Sequence, residues 1–167
     1  MKKYIFILLF SFCACNSKSQ TKGNATIYAY EQSVLPGAQR GVIEEGGSEI
    51  KTESNGAKNY FIYITSTSRI YPAEIWIHGK VYSVRMEVIS KTPVINTTPL
   101  GDTVELVPST TRKVLQLSPA PYTESKQYGD INEQTKNNAL VIVYKQNGRF
   151  YFNSQKEFKR LEAAAMQ

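Results

Sequence analysis

The chain reads as an all-β protein, a two-sheet antiparallel β-sandwich, immunoglobulin-like in general plan and closed by a short C-terminal helix. Three observations predict it. Short runs of β-forming residues recur about every ten positions between Gly, Pro, Asn and Ser clusters, the signature of sandwiches and barrels. Prolines at 36, 72, 93, 99, 108, 119 and 121 fall between those runs, where they remove no ladder donor. Eleven tyrosines and seven phenylalanines against one tryptophan suit a pleated surface, on which aromatic and β-branched side chains pack well.

The predicted elements follow in order. Residues 16–24, NSKSQTKGN, are small and polar and read as a flexible tether. The strands are expected at 25–31, 40–45, 59–67, 73–78, 80–90, 102–107, 113–118, 139–146 and 149–153. His78-Gly79 and Asn147-Gly148 read as two-residue hairpin turns; Asn-Gly is the strongest short signal for a type I′ turn, which needs positive φ at both positions. The second turn sets Tyr144 against Tyr151 and Val143 against Phe152. Both faces of that ribbon are then apolar, which places it centrally with cover on each side. The first turn sets Ile77 against Lys80, Trp76 against Val81, Ile75 against Tyr82 and Glu74 against Ser83. Residues 122–138 lack apolar periodicity and read as a long surface loop, a class often functional. In 154–167, Ser154 and Glu157 form a capping box, and Phe158, Leu161 and Ala165 follow at helical spacing. A helix this short docks through Phe158 and Leu161 or frays.

The first fifteen residues, MKKYIFILLFSFCAC, begin with two lysines, continue through an apolar run and end on small or thiol side chains. That is the layout of an export signal, and it is too short to span a bilayer. Its end, Phe12-Cys13-Ala14-Cys15, resembles a bacterial lipoprotein signal, with Phe12 where leucine is usual. The resemblance implies cleavage after residue 14 and a lipid on Cys15. It also implies an outer-membrane location facing the periplasm, since no aspartate follows the cysteine. An ordinary secretory signal and a soluble exported product is the alternative. Residues 1–14 are thus read as the signal, 15–24 as the lipidated tether, 25–153 as the sandwich and 154–167 as the helix.

The net charge of +6 becomes +4 when Lys2 and Lys3 leave with the signal. The remaining basic residues are scattered, whereas a nucleic-acid binder concentrates them on one face. With the signal removed, Cys15 is the only thiol, so neither a disulfide nor a thiolate metal site is expected. No cofactor or catalytic residue is assigned. His78 is the only histidine and sits in a turn, a poor mount for a Ser–His–acid arrangement. Glu44 and Glu45 are adjacent on a strand and point to opposite faces. EEGGSE at 44–49 lacks the dense Asp/Asn alternation of a calcium loop. The glycines match no phosphate-binding motif.

The functional expectation is a non-catalytic cell-envelope lipoprotein, a binding or accessory module for a protein or glycan. Its candidate contact is Trp76 beside Val81, with Glu74 and Arg85 around it, because aromatics and arginine are enriched at contacts. Burial of that face under other elements is the competing reading. Two rival functions remain open. One is a glycan- or peptidoglycan-cleaving enzyme using carboxylates from distant strands. The other is an assembly factor lending an edge strand, for which 25–31 is the candidate.

Overall fold

The computed structural model describes residues 21–35, 58–97, 101–121 and 131–165. Its elements are β1 (Thr21–Lys22), β2 (Thr26–Leu35), β3 (Lys58–Ser66), β4 (Tyr71–Ile77), β5 (Lys80–Ile89), β6 (Val94–Thr97), β7 (Thr103–Val107), β8 (Lys113–Ala120), α1 (Asn132–Asn137), β9 (Leu140–Gln146), β10 (Arg149–Gln155) and β11 (Lys159–Ala165). The fold is all-β, as expected. Nine strands form one hydrogen-bonded sheet in the order β1-β10-β9-β4-β5-β8-β3-β2-β11, and β6 and β7 form a separate two-stranded ribbon. Among the described residues this ribbon is the only second sheet.

The chain forces the large sheet to curl. β1 and β2 stand seven places apart in the strand order, roughly 34 Å if the sheet were flat at about 4.8 Å per strand. Only residues 23–25 join them, a link that reaches roughly 14 Å at full extension. The same holds for β10 and β11, joined by residues 156–158. The two ends of the sheet therefore meet. Thr21 and Lys22 pair in parallel with Tyr151 and Phe152, and further along Tyr30 to Leu35 pair in parallel with Lys159 to Ala165. The first and last segments of the described chain thus run side by side and close the sheet on itself.

Side-chain alternation fills this closed sheet. Ala29, Ile62, Ile64, Ile75, Ile77, Leu115, Leu117, Leu140, Ile142 and Tyr144 are buried in one cluster, contributed by β2, β3, β4, β8 and β9. A second cluster lies on the outer side of β2, β3 and β8, where Tyr30, Tyr63 and Val114 meet Leu106 and Val107 of the ribbon. Tyr30 fastens the ribbon there by donating its hydroxyl to the Leu106 carbonyl at 2.8 Å.

Both hairpins have the expected register. His78 and Gly79 (φ 48° and 77°) and Asn147 and Gly148 (φ 49° and 80°) occupy the left-handed region that a type I′ turn requires. Trp76 faces Val81, and Tyr144 faces Tyr151. β9 lies between β10 and β4, and Val141, Ile142, Val143 and Tyr144 are all fully buried.

Four expectations need correction. The C-terminal helix is absent: Ser154 and Gln155 end β10, and Lys159–Ala165 is strand β11. Parallel pairing with β2 supplies partners for the backbone groups of this segment, whereas an isolated helix this short is marginal in water. The 122–138 loop contains a helix, α1 at Asn132–Asn137. Pro72 and Pro119 lie inside strands, Pro72 at a register shift in β4. The 25–31 run is not a free edge along its whole length, because β2 pairs with β3 on one side and from Tyr30 onward with β11 on the other. The expected strand at 40–45 and the lipid site Cys15 lie outside the described residues. Among the described residues no helix is long and apolar enough to cross a membrane.

Candidate functional site

The Trp76 strip is only partly the surface that the sequence predicts. Trp76 and Val81 are cross-strand neighbours and half-buried. Glu74, two residues along on the same face, is 1% exposed and accepts a hydrogen bond from the Trp76 indole at 3.4 Å. Glu74 is therefore an interior acceptor and no part of an open contact surface. Arg85 is exposed but stands beyond Ser83, the last β5 residue that β4 pairs. The structure brings Trp76, Val81 and Glu74 together and leaves Arg85 apart.

A more open site lies where three connections meet. They are the β4–β5 turn, the end of α1, and the link between β10 and β11. His78 donates its backbone N–H to the Ala139 carbonyl at 2.8 Å, and Ala139 donates to the Lys156 carbonyl at 3.1 Å. Asn138 turns the chain out of α1 by donating its side-chain amide to the Gln134 carbonyl at 2.8 Å. These bonds hold the walls of a cleft of about 990 Å³. Phe158 forms its floor, 8% exposed, with the Tyr60 ring 5.1 Å and the His78 ring 5.7 Å away. The rim carries Lys136, Lys156, Arg160, Asn137, Asn138 and Glu157.

Glu31 sits in the wall under this rim. Its carboxylate meets Lys58 at 2.9 Å and Arg160 at 3.4 Å, and its side chain is 12% exposed. The Lys58 hydrogen bond, aided by the positive charge of Lys58 and Arg160, outweighs burial and holds the Glu31 carboxyl below its ordinary range. A depressed carboxylate stabilises the fold above its unfolded-state pKa and ceases to do so as pH falls through the folded value. Glu31→Gln is thus expected to cost up to about 1 kcal/mol at pH 7, modest because Lys58 and Arg160 are solvated. In urea titrations the difference from wild type should shrink steadily as pH falls below the ordinary carboxylate range.

The sequence reading misses Lys156, Phe158 and Arg160 as one site because the capping box at Ser154 and Glu157 and the helical spacing of Phe158, Leu161 and Ala165 point to a helix, whereas the alternate positions 156, 158 and 160 lie along the link into strand β11. The usable signal was the break at 156–158 between two runs that can both extend. Among the described residues no three His, Cys, Asp or Glu side chains cluster so as to hold a metal. Glu31 and Glu157 are the carboxylates of the cleft. No family model, curated protein or solved structure matches the chain.

Proposed function

We propose that this protein is an exported binding module of the bacterial cell envelope, held to the outer membrane through a lipid on Cys15 and facing the periplasm. Two opposed β layers around one core, the general plan of an immunoglobulin-like sandwich, serve it as a rigid support. Its binding site is the cleft between the β4–β5 turn, α1 and the β10–β11 link, and its ligand is a glycan bearing carboxylate or phosphate groups. The observation that carries this reading is the composition of that cleft. An apolar floor at Phe158 suits the face of a sugar ring, the side-chain amide of Asn137 suits a hydroxyl, and Lys136, Lys156 and Arg160 suit acidic groups. Held below the ordinary carboxylate range by Lys58 and Arg160, Glu31 is unsuited to the general-acid role in glycoside cleavage, which needs a raised pKa.

Calorimetric titration with acidic and neutral oligosaccharides tests the reading. Acidic chains should bind, and a Lys156→Glu/Arg160→Glu double variant should weaken them at least tenfold. Equal affinity for neutral sugars, or none for either, would count against it. For the anchor, mass analysis of the mature N-terminus should find an acylated Cys15.

A further inference from the structure

β5 outruns its neighbour. β4 pairs with it only as far as Ser83, after which β4 shifts register at Pro72/Glu74 and follows β9 alone. On its other side β5 stays paired with β8 from Ser83 to Ile89. Among the described residues no strand takes the side of Val84–Ile89 that β4 has left. Along this segment Met86 and Val88 are 53% and 56% exposed, although Tyr82 and Val84 on the same face pack against the core. Sheet edges are normally blunted by Pro, a bulge, charges of one sign or an inward charge; Val84–Ile89 has no Pro, pairs with β8 without a register shift, and carries only the exposed, opposite charges Arg85 and Glu87.

We propose that this edge pairs antiparallel with the same segment of a second copy, with Met86 on the two-fold axis. The residue order argues for a second copy over a foreign strand. With Met86 opposite Met86, each Arg85 stands opposite Glu87 of the other copy, and each Val84 opposite its Val88. Two opposite-charge pairs then form on one face and an unbroken apolar row on the other, the arrangement that stabilises directly opposed residues. Moving the axis to Glu87 would set two carboxylates against each other, so the charges select the register. Such an isologous contact closes after two copies and does not propagate.

The test is sedimentation equilibrium of the full chain in mild detergent. Wild type should dimerise with rising concentration. Arg85→Glu and Glu87→Arg should each weaken dimerisation at least tenfold, because each places like charges opposite one another twice. An equimolar mixture of the two variants should restore dimers, since all-acidic and all-basic edges complement each other. In addition, Met86→Cys should cross-link across the axis on mild oxidation, while Lys145→Cys should not. A wild type monomeric at every concentration, a dimer indifferent to both charge changes, or a mixture no tighter than its components would overturn the proposal.

Discussion

Replacing Asn153 with alanine is expected to lower stability by about 3–5 kcal/mol, from the loss of partners for three separate groups at about 1–3 kcal/mol each, summed less than additively. Asn153 is 5% exposed and sits where the first and last strands close the sheet. Its carbonyl oxygen accepts from the Gly23 backbone N–H at 3.0 Å and from the Tyr144 hydroxyl at 3.3 Å, and its amide donates to the Ala25 carbonyl. No other standard side chain of this size offers two acceptor sites and two donors without a charge. Asn153→Asp keeps the acceptors but loses the donor to Ala25 and buries a charge, so it should rescue little. Gly23 shows how tight the closure is, because a Cβ there would run into the Tyr144 hydroxyl. Thermal melts followed by near-ultraviolet circular dichroism would read the effect as a fall of roughly 6–20 °C, at about 2–4 °C per kcal/mol for a domain of this size. A fall of less than 2 °C would mean that the strand pairing closes the sheet without this side chain.

The second large effect is expected at Phe158. Truncation to alanine removes a nearly buried ring that packs against Tyr60 and His78, a change that ordinarily costs about 3–5 kcal/mol. It should also deepen the cleft and loosen the link that sends β10 onward to β11. Phe158→Leu retains much of the apolar volume and should recover more than half of the loss. Urea denaturation with both variants separates the two contributions. If Leu restores stability and acidic glycans still fail to bind, the flat face of the ring is what the ligand needs. A Phe158→Ala protein as stable as wild type would place the residue outside the core.

How much of this was legible depended on the range of the interaction. The two hairpins were readable because a two-residue turn fixes both the fold-back and the pairing of every residue behind it. Asn147-Gly148 and His78-Gly79 therefore predicted Tyr144 against Tyr151 and Trp76 against Val81 in correct register. The C-terminal segment was misread for the opposite reason. Lys159–Ala165 is rich in residues that favour a helix, and its partner β2 lies far back in the sequence. Periodicity alone cannot report a parallel pairing of that separation. The same limit hid the cleft, whose walls come from three connections, the pairing of β2 with β11 from Tyr30, and the side of β5 that β4 leaves beyond Ser83.

By itself the sequence determined most of the described strand runs, the two type I′ turns and which of their side chains alternate inward. Those properties depend on neighbours a few residues apart. Only the tertiary structure decided that the ends of the sheet meet, that Phe158 seals a cleft, that Glu74 is interior and that β5 outruns β4. Each of these follows from which distant strand takes up a given row of backbone hydrogen-bonding groups. That choice is made by the fit of the whole sheet, and no local pattern records it.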